Sequence, residues 1–139
     1  MDGRAFLDVA RRLVNESTEA DWRTAAGRAY YACLLEARSV LLRWKFAIPK
    51  GEQVHRFVRL RFTYSPDSDL KSVGLALEKL GTLRNRADYE TEKPGSFGTN
   101  SQARQAILVA ASALDGLDRV DGDPARRAAA VTALHKAFP

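Results

Sequence analysis

A single cysteine, Cys33, leaves no intramolecular disulfide to form and fits a reducing compartment. Histidine is nearly as scarce. His55 and His135 are the only two, and beside one cysteine they offer no zinc-ligand spacing. No metal centre and no cofactor is therefore expected, and both histidines are expected on exposed surfaces. No apolar run approaches the roughly 20 residues that span a bilayer; the longest, "AILVAASALDGL", is interrupted by Asp115. The segment "MDGRAFLDVARR" carries acidic residues and no signal-peptide core, so a cytoplasmic protein with no membrane attachment is expected. A period-two run long enough for a strand is missing, as are a glycine-rich phosphate loop after a strand and a serine in a nucleophile elbow.

Positive charge is abundant and unevenly placed. The chain of 139 residues carries a formal net charge of +5 and is 45% hydrophobic, enough for one domain with one core. Residues 43–61, "RWKFAIPKGEQVHRFVRLR", match that charge by themselves, with Arg43, Lys45, Lys50, Arg56, Arg59 and Arg61 against Glu52. Such a balance favours an anionic partner. Trp44, Phe46 and Phe57 interleave with these cations. On an RNA-binding surface the aromatics would stack on bases while Lys50, Arg56, Arg59 and Arg61 neutralise phosphates. The alternative is a solvated basic rim whose aromatics point into the core.

Almost everything else reads as helix. "AFLDVARRLVN" places Phe6, Val9, Leu13 and Val14 at helical spacing. Thr18 is placed to cap a long second helix, with Glu19 and Asp21 in its positive first turn. Trp22, Ala25, Ala26, Ala29, Cys33, Ala37, Val40 and Leu41 form an apolar stripe along it, whose alanines admit close approach by another helix. After the breakers Pro49 and Gly51, the basic segment forms a short helix at most. Ser65 and Pro66 then read as the N-cap and first turn of a helix carrying Leu70, Val73, Leu77, Leu80 and Leu83, in which Gly74 and Gly81 lower the propensity. "ETEKPGSFGT" is a loop, Thr99 and Gln102 suggest a capping box, and Asp123 with Pro124 caps a last helix. The expected fold is all-α, a bundle of four main helices with short additional ones. Residues 1–120 form the bundle; 121–139 form an amphipathic helix, either part of the same domain or a partner-binding tail.

The polar cluster "RNRADYE" closes the fourth of these helical runs. Arg84 and Asp88 are four apart and share a face, as do Asn85 and Tyr89, so a local ion pair is one reading. Arg28 pairing with Asp88, and Tyr30 or Tyr31 hydrogen-bonding across the bundle, would extend that polar contact. A site in which Arg84 and Asn85 hold a phosphate is the other reading.

Together, "AAGRAYYACLLEARSVL" in the second helix and "LRNRADYE" at the end of a later one resemble the HEPN domain, over roughly residues 5–119. The likeness is to a branch with an aromatic "RAYYA" helix and an "ADY" motif, and "IPKGEQVHRFV" lies where that branch often has a short basic turn with a histidine. The resemblance implies a helical bundle that forms a homodimer and acts on or binds RNA in a toxin–antitoxin or defence setting, with a nucleotidyltransferase or antitoxin as a possible partner. It implies a metal-independent ribonuclease or, alternatively, a non-catalytic module that binds the nucleotidyltransferase; a helical protein-interaction scaffold is a third reading. Arg84 matches the family's motif arginine and Asn85 the polar residue after it. The motif histidine is missing, and Asp88 and Tyr89 stand near its place. His55 could supply the imidazole only if the fold brings it there.

Overall fold

The computed structural model describes residues 2–92 and 95–139, and among these every regular element is a helix. Six α-helices follow in order: α1 (Arg4–Leu13), α2 (Glu19–Arg43), α3 (Gln53–Thr63), α4 (Ser68–Tyr89), α5 (Ser101–Asp121) and α6 (Pro124–Ala137). The expected all-α bundle is thus realised as three long helices, α2, α4 and α5, with three shorter ones against them. Of the expected loop after α4, Lys93 and Pro94 lie outside the described residues; Gly95–Phe97 form a 3-10 turn that seats the buried ring of Phe97.

Helix α2 is the axis, packed on by α1, α4 and α5. Ala25, Ala26, Ala29, Ala32, Cys33 and Ala37 are wholly buried along it, and their small side chains let the neighbouring helices come close. The Thr18 hydroxyl accepts the amide of Asp21, as its cap role requires. At the other end the chain leaves α2 through a left-handed residue, Lys45 (φ 70°). There the amide of Phe46 donates to Leu41 and that of Lys45 to Leu42, so the last carbonyls are satisfied.

Two expected caps are corrected. Asp67, not Ser65, is the N-cap of α4: its carboxylate accepts the amides of Asp69 and Leu70, while Ser65 accepts that of Asp67 one step earlier. The Thr99–Gln102 box does not form, because Asn100 takes the N-cap position and the residue three on is Ala103, which has nothing to reach back with. Asp123 caps α6 as expected, accepting the amide of Arg126.

The core aromatics settle one alternative within residues 43–61. Trp44 and Phe46 are buried and Phe57 is partly buried, so these rings face inward and are not a stacking platform for bases. Nor are the histidines on the open surface. Both are half-buried, His135 with its ring stacked on Phe46 at 4.1 Å.

Candidate functional site

The spacing of four residues, the N-cap of α3 and three within it, decides what the basic segment presents. Glu52, His55, Arg56 and Arg59 recur every three or four positions and share one face of the helix. Arg61 lies about 200° around from Arg59 and points the other way, into the aromatic side of the core. Its guanidinium carbon is 3.4 Å from the centroid of Phe57 and 4.4 Å from that of Phe138, and Nη1 donates to the Phe57 carbonyl. Arg61 therefore does not share the face of Arg56 and Arg59, with which the sequence grouped it as an RNA contact. Lys50 is exposed in the connection before α3 and does not line the cavities described next.

The polar face of α3 meets α2 and α4 around two adjoining cavities. One, of about 410 Å3, is lined by Tyr30 and Tyr31 from α2, Glu52 and His55, and Gly81, Arg84, Asn85 and Tyr89 from α4. The other, of about 330 Å3, shares Tyr30, Glu52, His55, Gly81 and Asn85 and adds Arg56 and Arg59. On α4 the spacing 81–84–85 again puts three residues on one face. Adding a Cβ to Gly81 would bring it to 3.5 Å from Tyr30 Cε1, so the glycine keeps this wall low.

Within the cavity His55 Nδ1 lies 2.5 Å from the Tyr30 hydroxyl, and the two rings are parallel within 6°. Tyr31 packs edge-on against both rings. The guanidinium of Arg84 sits 5.4 Å above Tyr31, and its Nε lies 3.0 Å from Asp88 Oδ2. That nitrogen makes no hydrogen bond, so the Arg84–Asp88 contact is a Coulombic pair with the guanidinium still able to donate. Burial lowers His55 below the usual imidazole value and the Arg84 charge adds to this, while Glu52 pulls the other way. Burial, reinforced by Tyr31, pushes Tyr30 up to about 12, so it remains a neutral phenol. A neutral imidazole, a neutral phenol and a partly free guanidinium on one cavity can accept a proton, share a hydrogen bond with the imidazole and bind an anion.

Other residues singled out from sequence fall elsewhere. Arg28 does not pair with Asp88; its guanidinium lies 5.2 Å over the ring of Phe6, towards α1. Asp88 points to Arg84 and is not on the cavity wall, whereas Tyr89 is at its mouth and 74% exposed. Sequence reasoning missed Arg23. It is buried on α2, where Nη1 donates to the carbonyls of Arg86 (3.1 Å) and Ala87 (2.9 Å) and so satisfies the C-terminal turn that carries the cluster. The available signal was its register: Arg23 falls on the same stripe as Ala26 and Tyr30. Glu52 was legible too, one turn before His55.

The model of the HEPN domain matches residues 2–119. The chain belongs to the HEPN domain family. No curated protein and no solved structure matches it. The HEPN match takes in α1 to nearly all of α5 and both cavities, and leaves out α6. Among the described residues no helix is long and apolar enough to cross a membrane, and no three His, Cys, Asp or Glu side chains gather as metal ligands would.

Proposed function

We propose that this HEPN protein binds RNA along Arg56 and Arg59 and cleaves it at the cavity of His55, Arg84 and Asn85. The observation that carries the reading is the placement of His55 beside Tyr30 and across from Arg84, which supplies an imidazole where the HEPN motif of this chain has none. The base role uses the tautomer in which Nδ1–H donates to the Tyr30 hydroxyl oxygen, which leaves the Nε2 lone pair for a ligand. A histidine whose pKa is lowered is neutral at pH 7 and competent as a base. It would take the proton from a ribose 2′-hydroxyl as that oxygen bonds to the adjacent phosphorus. The bond from phosphorus to the 5′-oxygen then breaks, and solvent protonates the leaving oxygen. The products are a 2′,3′-cyclic phosphate and a 5′-hydroxyl. Arg84 and the Asn85 amide would stabilise the charge on the phosphorane.

Cleavage of labelled RNA by the wild-type protein and by His55→Ala and Arg84→Ala, with and without EDTA, tests this. Each variant is expected to lose roughly a hundredfold or more in rate, with circular dichroism melts showing that it still folds. Activity should rise with pH through a midpoint below 6.5, the ordinary imidazole value, as His55 loses its proton. RNA binding without cleavage by the wild type would replace the ribonuclease by a non-catalytic module. A homodimer, a nucleotidyltransferase or antitoxin partner, a toxin–antitoxin or defence role and a cytoplasmic location belong to the same proposal. Light scattering that gave a monomer at high micromolar concentration would remove the dimer.

A further inference from the structure

Helix α6 begins after the last residue of the HEPN match, yet it and the residue that follows it, Phe138, touch the chain before, within and after α3. Before α3, His135 Nε2 lies 2.7 Å from the Trp44 carbonyl oxygen, and its ring stacks on Phe46 within 5° of parallel. Within α3, Arg61 is held between Phe57 and Phe138, the residue that follows α6. After α3, Arg126 donates to both carboxylate oxygens of Asp67, at 2.7 and 2.9 Å, and to Asp69 at 2.7 Å. Asp67 caps α4 and stands four residues beyond the end of α3.

Helix α3 packs chiefly on α4 and more lightly on α2. It is 11 residues long, and only Val58 and Phe62 along it are buried. Helices of that length are marginal in water without tertiary support. His55 and Arg61 are six residues apart, about 240° around the helix, so the contact with Phe138 lies on the side away from the cavity. We propose that α6 and Phe138 form a clamp that holds α3 against α2 and α4 and so positions His55 at Tyr30 and Arg84. The clamp stands on these contacts; its bearing on RNA rests on the reading of His55 given above. In this role Arg126 and Phe138 are positioning residues.

The test uses the full chain and reads two quantities by NMR: the titration of the His55 ring and the hydrogen exchange of the α3 amides. The charged and titratable groups around that ring are Arg84, Glu52, Arg56, Arg59, Glu78, Tyr30 and Tyr31, and none is altered. Phe138→Ala and Arg126→Gln are expected to speed α3 exchange at least tenfold and to move the His55 midpoint back towards its ordinary value. Phe138→Tyr keeps a ring over Arg61 and should behave as the wild type. Leu7→Ala, a change in the α1 core, should lower the melting temperature without moving His55. Unchanged titration and exchange in both clamp variants would overturn the proposal, as would an equal shift in Leu7→Ala. If Arg126→Gln fails to fold, Phe138→Ala decides alone. If His55 loosens in the variants while the wild type cleaves no RNA, the clamp stands and the ribonuclease falls.

Discussion

Alanine in place of Gly74 is expected to destabilise the protein, although a helix interior ordinarily gains about 1 kcal/mol from that exchange. The reason is the seat of α3. A Cβ on Gly74 would lie 2.5 Å from Thr63 Oγ1 and 2.6 Å from Thr63 Cα, against 3.4 Å for ordinary contact. Backbone cannot swing aside as a flexible side chain can, and Thr63 N is nearer still, so the end of α3 would retreat by about 1 Å. A gap of that size forfeits about a quarter to a half of each dispersion contact, and a large buried side chain makes on the order of 40–60 contacts of about 0.1–0.2 kcal/mol. If about half of those made by Val58 and Phe62 face α4, the loss is about 2–4 kcal/mol and the net cost about 1–3 kcal/mol. Urea melts followed by circular dichroism would measure it, and a fall in Tm of roughly 3 to 10 °C should accompany it. Gly27→Ala is the control. The nearest atom to its Cβ would be Arg84 Cγ at 3.9 Å, so it should gain up to about 1 kcal/mol. A Gly74→Ala protein as stable as the wild type, or a Gly27→Ala protein weakened to the same degree, would refute the reasoning.

Other expectations concern the polar contacts. Arg23→Met should cost about 2–3 kcal/mol, because two α4 carbonyls lose a charged donor; hydrogen exchange should quicken in the last turn of α4, and an unchanged urea midpoint would remove Arg23 as its anchor. Acid should weaken the α4–α6 junction. Hydrogen bonds from Arg119 and Arg126 hold Asp69 at about 2, and Asp67, which burial alone would raise, is lowered by Arg126. Depressed carboxylates stabilise the fold above about pH 4, the unfolded value, and lose that contribution as pH falls towards 2, so melts between pH 5 and 2 should decline less steeply in Asp69→Asn. In RNA binding, Arg56→Gln with Arg59→Gln should flatten the dependence of log affinity on log salt by roughly 1.4, about 0.7 per phosphate on a single strand. Arg61→Gln should leave that slope alone and lower the melting temperature instead.

The fold class could be read from the sequence because its signals are local. Leu70, Val73, Leu77, Leu80 and Leu83 recur at helical spacing and all five are buried, and Thr18 and Asp123 cap the helices that they precede. The cap of α4 could not be read so simply. Asp67 gains its position partly from Arg126, which arrives from 59 residues away. Arg61 was separable from Arg59 by register alone, but only once residues 53–63 are taken as one helix with a polar and an aromatic face. The half-burial of both histidines depends on contacts from other helices, so neither could be inferred from its neighbours in the chain.

Gly74 shows the same dependence on distant contacts. In the sequence it only lowers helix propensity, and nothing near it tells of a second backbone. In the fold it is where the end of α3 rests on α4, eleven residues after Thr63 in the chain and in contact with it in space. The same helix brings His55 to Tyr30 and the cluster on α4. The histidine missing from the α4 motif is therefore replaced, if the proposed chemistry holds, by one whose position depends on interhelical distance and not on motif spacing. A motif search along α4 sees Arg84 and Asn85 and stops. The imidazole lies 29 residues before Arg84, on a helix with two buried side chains, seated on a glycine at one end and with Phe138 against Arg61 on its far side.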